Sequence, residues 1–132
     1  MKKVLVDTSI WIEYFKGNKM VQTIIHDTSN FQCFIIGPVI TELLLGIKTP
    51  GEKERLITCM NVLPMLKITD YVWIDAGNTG NLLRQKGITI PLPDLIIFSA
   101  ANKNNCALFT FDKHFEIIKD AVESEIEIFK SN

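Results

Sequence analysis

The feature that most constrains this chain is a repeated change of hydrophobic period. Short apolar runs of strand type alternate with segments whose apolar residues recur every three or four positions. The spacing predicts strands at 3–6, 33–36, 107–110 and 125–129, with a further short apolar piece, MLKI, at 65–68. It predicts helices at 9–16, 19–27, 38–48, 51–61, 70–86, 94–103 and 113–119. Strands that alternate with helices imply an α/β protein with a mainly parallel sheet covered on both faces. Gly77 and Gly80 lie inside the 70–86 pattern, each costing about 1 kcal/mol against alanine, so a break there is compatible with the sequence.

At 132 residues, with no Ser-rich linker, long charge block or repeat, the chain reads as one domain, 1–132. Its longest apolar runs, such as FIIG and LIIFSAA, fall far short of a membrane span. The run after Lys2 and Lys3 meets a charged residue too soon for a signal peptide. The expectation is a cytoplasmic protein with no membrane partner. Cys33, Cys59 and Cys106 are odd in number and widely spaced among apolar neighbours, which reads as free thiols rather than a disulfide framework or zinc site. A net charge of -1 neither advertises nor excludes a nucleic-acid partner.

The apolar run Val4, Leu5, Val6 ends abruptly in Asp7, and the same corner recurs along the chain. Glu42 follows the strand FIIG, in a helix that Pro38 suits as an N-terminal residue. Asp94 follows Pro91 and Pro93 and opens the apolar run LIIFSAA, and Asp112 directly follows ALFTF. All four acids are therefore expected near helix N-termini, and at least three of them after the carboxyl end of a strand, along the edge where open parallel sheets bind ligands. Four carboxylates gathered there repel. Six pairs at about 8 Å, each about 2 kcal/mol with an effective dielectric near 20, sum to about 12 kcal/mol before screening. Helix dipoles return only about 0.3–1 kcal/mol apiece, so a divalent cation is the natural counter-charge. An all-oxygen donor set favours Mg2+ or Mn2+ over zinc, and such ions suit phosphodiester hydrolysis.

Taken singly, each acid has a structural reading. Asp7 and Asp94 suit helix N-caps, Asp112 a turn or cap, and Glu42 a solvated flank beside the apolar stripe of Val39, Ile40, Leu43, Leu44 and Ile47. The functional reading rests on their shared placement.

With these residues assembled, the chain resembles the PIN-domain ribonucleases, and among them the VapC-type toxins of toxin–antitoxin pairs. The resemblance runs through VLVDTSIWIEYF, PVITELLLGI, LLRQKGITIPLPDLIIFSAA and LFTFDKHFEII, in this order and over nearly the whole chain. It implies a three-layer α/β/α sandwich and a metal-dependent endoribonuclease that leaves a 5'-phosphate and a 3'-hydroxyl. By motif position it implies catalytic and metal-binding roles for Asp7 in VDTS, Glu42 in TELLLG, Asp94 in PDLIIFSAA and Asp112 in TFDKHF, the last acting directly or through water. It also implies an antitoxin that covers the acidic site, and a homodimer.

Beside the acids, Thr8, Ser9 and Thr110 can hydrogen-bond a carboxylate or cap a helix locally. IWIEYF carries more apolar side chains than one helical stripe can bury, so a groove for a partner segment is expected beside core packing. His114, two residues after Asp112, invites a general-base role, yet both it and His26 read as isolated, and His114 is expected to be an exposed helix residue outside catalysis. Lys16, Lys48, Lys53, Arg55, Arg84, Lys86 and Lys113 are candidates to line an RNA path, against a default of solvated surface.

Two other functions compete. A receiver-like magnesium-binding module expects an acidic pair near the first strand and a phosphoacceptor at the end of a middle strand, but VDTS offers one acid and FIIG none. A phosphomonoesterase with a nucleophilic aspartate expects an acid two residues after Asp7, where Ser9 stands.

Overall fold

The structure, a computed structural model, describes residues 1–129. In chain order its elements are β1 (Lys2–Val6), α1 (Thr8–Phe15), α2 (Lys19–His26), β2 (Phe31–Ile36), α3 (Gly37–Leu45) and α4 (Pro50–Val62). There follow β3 (Met65–Leu66), α5 (Asp70–Gln85), α6 (Leu92–Lys103), β4 (Ala107–Phe109), α7 (His114–Ala121) and β5 (Ile128–Phe129). Every pairing is parallel, and the strands stand in the order β3-β2-β1-β4-β5.

That order fixes where a site can form. The chain steps outward from β1 to β2 and β3, then returns to the other side of β1 to lay down β4 and β5. Right-handed crossovers put the helices of these two excursions on opposite faces. The α/β/α sandwich with a parallel sheet is thus as expected. The strand order reverses between β1 and β4, where Val4 lies opposite Ala107 and Val6 opposite Phe109. Connections leave the carboxyl ends of these neighbours in opposite directions, which opens a crevice between them.

The central strands read as unbroken apolar runs because helices cover both faces. Val4, Leu5, Val6, Leu108 and Phe109 are all fully buried. Helix α6 is apolar around most of its circumference for the same reason: every residue from Leu95 to Ala101 is buried. It contacts α3, α5, α7 and β4. The hydroxyl of Ser99 within this run is satisfied by Asp75 of α5.

The helix expected at 70–86 is observed as α5, continuous through both glycines, and Gly80 has a packing reason: a Cβ there would stand 2.7 Å from Leu95 Cδ1 of α6. Three other local expectations are corrected. Helix α3 stops at Leu45 with Gly46 as its C-cap, so Ile47 lies beyond it, and Leu44, assigned to the apolar stripe, is 41% exposed. Helix α6 begins at Leu92, so Asp94 is its third residue rather than its first. The edge strand β3 has two residues, shorter than its apolar pattern, and β5 starts at Ile128 rather than at 125.

Candidate active site

Asp7 leaves β1 at the crevice. Its amide donates to the Phe109 carbonyl at 3.0 Å, continuing the β1–β4 ladder, and its own carbonyl receives the amides of Ile10 and Trp11. The residue is the N-cap of α1 by position, yet its side chain makes no capping bond. The carboxylate is instead turned toward β4. Oδ2 accepts the Thr110 hydroxyl at 2.8 Å and the Ser9 hydroxyl at 2.9 Å. Each hydroxyl has one proton, and both are spent on the same oxygen, so the 3.3 Å approach of Ser9 Oγ to Thr110 Oγ1 is a contact without a proton of its own. Their lone pairs accept backbone amides, Phe111 into Ser9 at 3.0 Å and Asp112 into Thr110 at 2.9 Å. Asp7 is 4% exposed, and among the described residues no donor engages its Oδ1, which is left available to a ligand.

Asp94 and Asp112 face each other through His114. Its Nδ1 lies 2.7 Å from Asp94 Oδ2 and 3.4 Å from Asp112 Oδ1. The His114 amide also donates to Asp112 Oδ1 at 2.9 Å, a local turn that folds the imidazole back over the acids. Glu42 is the sixth of the nine residues of α3, in the middle of the helix rather than at its N-terminus, so the helix dipole does not hold it. It is held by Thr8, whose hydroxyl donates to Oε1 at 3.2 Å.

The electrostatics tie the four acids together. The Asp94 carboxyl is raised above its ordinary range, first by burial and then by the charges of Asp112 and Asp7, against a lowering hydrogen bond from His114. Glu42 is raised too, by burial above all and by the charges of Asp7, Asp94 and Asp112, against its bond from Thr8. His114 is raised, chiefly by its bond to Asp94. Burial and the neighbouring charges thus penalise the ionised forms of Asp94 and Glu42, and the His114 bond offsets only part of that at Asp94. This is the environment that a divalent cation relieves, and its donors are predominantly hard oxygens. The residues fit such an ion.

The structure therefore brings Asp7, Glu42, Asp94 and Asp112 into one electrostatic neighbourhood, with Thr8, Ser9 and Thr110 bonded to its carboxylates. It corrects the reading of His114, which opens α7 with its ring against two of the acids. The signal was its place two residues after an acid at a strand end, where the backbone must turn. His26 is elsewhere, with Nε2 2.7 Å from the Tyr14 hydroxyl.

A cavity of about 370 Å3 is bordered by Thr8 and by Glu42, which alone of the four acids lines it. Ile12, Phe15 and Leu43 give it apolar walls, and Lys16, Lys48 and Arg55 line it as cations. Arg55 lies over the Phe15 ring, 5.5 Å from its centroid. Of the seven basic residues singled out in the sequence, only these three line it. Ile10 and Trp11 of the aromatic-rich segment are core, whereas Ile12 is 46% exposed.

Comparison with known proteins adds an independent line. A family model described as the PIN domain matches residues 4–121. Ribonuclease VapC1 of Methanocaldococcus jannaschii is 29% identical over 119 residues, 89% of this chain and 82% of that protein. Ribonuclease VapC3 of the same organism is 30% identical over 95 residues, 72% of this chain and 94% of that protein. Among solved structures, a chain of VapBC2 from Rickettsia felis, bound to a DNA fragment from its promoter, superposes with a TM-score of 0.81 at 19% identity. That match covers 98% of this chain and 99% of the other, and at such identity it speaks for the fold.

Proposed function

The chain belongs to the PIN-domain family, and from that premise we propose that it is a divalent-metal-dependent endoribonuclease, the toxin of a toxin–antitoxin pair. The observation that carries this reading is the convergence of Asp7, Glu42, Asp94 and Asp112 at the strand-order reversal, beside a cavity lined by three cations. The similarity to two proteins named as VapC ribonucleases supports RNA as the substrate. The similarity to VapBC2 supports an antitoxin partner. The match over residues 4–121 supports a single domain, 1–132, as the working unit.

In this reading Asp7, Asp94, Asp112 and Glu42 hold one or two Mg2+ or Mn2+ ions, which would neutralise phosphoryl oxygens and lower the pKa of water. The chain's own contributions are separate. Asp7 is pinned by two hydroxyls and presents a carboxylate of fixed orientation. Glu42, raised by burial, is suited to receive a proton from the attacking water. Lys16, Lys48 and Arg55 hold RNA phosphates along the cavity. Its apolar walls at Ile12, Phe15 and Leu43 suit an antitoxin segment that covers the same ground. The exposed Tyr71, Trp73 and Ile74 of α5 offer an apolar face for a homodimer.

Among the described residues no helix is long and apolar enough to cross a membrane. The free thiols Cys33, Cys59 and Cys106 suit a reducing cytoplasm as the place of action.

The test is RNA cleavage by the purified chain with Mg2+, with Mn2+ and with chelator, beside an Asp7→Asn, Asp94→Asn variant. Cutting that needs the ion and both carboxylates is expected. Cutting in chelator, or equal cutting by the variant, would remove the assignment.

A further inference from the structure

We propose that His114 is a direct nitrogen ligand of the divalent ion, so that the centre is a mixed oxygen–nitrogen site rather than an all-carboxylate one. The inference rests on the metal-dependent reading above. Its geometric basis is that one ligand atom each from Asp94, Asp112 and His114 lie within 4.8 Å of one another. Nδ1 of His114 stands 2.7 Å from Asp94 Oδ2 and 3.4 Å from Asp112 Oδ1. Donors side by side on an octahedral ion with bonds of about 2.1 Å are about 3 Å apart, and opposed donors about 4.2 Å. The two separations from Nδ1 are therefore close to that of neighbouring donors on one ion.

The imidazole is also held in place. The His114 amide is anchored on Asp112 at 2.9 Å, and Phe115, next in the chain, is fully buried and fixes the first turn of α7. Ligation through Nδ1 leaves Nε2 to carry the ring proton. That side chain is 40% exposed, so water can accept it without any protein partner. Without an ion, Nδ1–H donates to Asp94. With one, that proton leaves and the lone pair it occupied faces the same two acids. An imidazole donor in a carboxylate site favours Mn2+ over Mg2+, which takes oxygen ligands and dehydrates reluctantly.

Pulsed electron paramagnetic resonance on the full chain with one equivalent of Mn2+ tests this directly, because an imidazole nitrogen bound to the ion gives a 14N modulation. The chain has two histidines, and His26 serves as the internal control. The modulation is expected in the unsubstituted protein and in His26→Gln, and is expected to vanish in His114→Gln. Titration calorimetry should show the ratio of Mn2+ to Mg2+ affinity falling about tenfold in His114→Gln. Mn2+ that binds without nitrogen modulation, modulation that survives His114→Gln, or equal loss for both ions would overturn the inference while leaving the metal-dependent reading in place. Failure of the unsubstituted chain to bind either ion would overturn both.

Discussion

The hydroxyl of Thr110 donates to Asp7 Oδ2 across 2.8 Å, joining residues 103 positions apart at the carboxyl ends of β1 and β4. The Thr110 hydroxyl oxygen in turn accepts the Asp112 amide at 2.9 Å, so one buried side chain orients one acid and anchors the loop that carries another. The site is thus built into the joint between the two central strands.

Replacing Thr110 with valine keeps the shape and removes both bonds. Asp7 loses one of its two donors, and the Asp112 amide loses its acceptor. Leaving such groups unpaired costs about 1–3 kcal/mol, which urea unfolding should show as a lower midpoint at unchanged slope. Cleavage is expected to fall by about tenfold or more as Asp7 and Asp112 lose their orientation. Thr110→Ser should restore most of both, and valine with full activity would mean that the hydroxyl is a bystander.

The metal-free protein should grow less stable as pH rises. Asp94 and Glu42 are raised in the folded state, mainly by burial, so their destabilising effect sets in as pH climbs through the ordinary carboxylate range and is complete above their folded pKa values. His114 is raised mainly by its bond to Asp94, and its contribution is fully present below the unfolded value of 6.5 and lost as pH passes its folded pKa. Both trends run the same way. In chelator, Tm should decline from about pH 5 to pH 8 relative to Asp94→Asn, and Mn2+ should lift it most at the upper end. A variant curve parallel to that of the unsubstituted protein would refute this.

The two glycines of α5 should respond differently to alanine. At Gly77 an added Cβ meets nothing within 4 Å, so Gly77→Ala should raise stability by about 1 kcal/mol through helix propensity. At Gly80 the same carbon would stand 2.7 Å from Leu95 Cδ1, so the end of that buried side chain must shift, which offsets the gain in helix propensity. Gly80→Ala should therefore be the less stable of the two in chemical denaturation.

Cys33 should be nearly inert in the native protein. Burial pushes its thiol up to about 11, with the Asp27 charge adding to the effect, so little thiolate exists at pH 8. Alkylation followed by peptide mass analysis should find it labelled about a hundredfold more slowly than a free thiol, and fully labelled after unfolding. Fast native labelling would show that this strand opens readily.

Much of this was legible in the sequence because period and punctuation act locally. The run Val4–Val6 had to be a buried strand, and an acid directly after it had to stand at the sheet edge. The same holds for Asp112 after β4. What was not legible depended on packing between distant segments. Glu42 was expected near a helix start, but which turn of α3 faces the crevice follows from how α3 meets α1 and α6. The continuity of α5 through Gly80 depends on Leu95, which belongs to another helix. His114 was set aside because a D-x-H spacing does not say where the ring points, and only the turn at Asp112 and the proximity of Asp94 decide it.

The strand order also sets a timetable for synthesis. β1 is made before its β4 neighbour, which lies about a hundred positions downstream and arrives later. Until then Asp7 lacks Thr110, and Asp94 lacks Asp112 and His114. The acidic site is therefore assembled only after residues 110–114 have been made and β4 has joined β1.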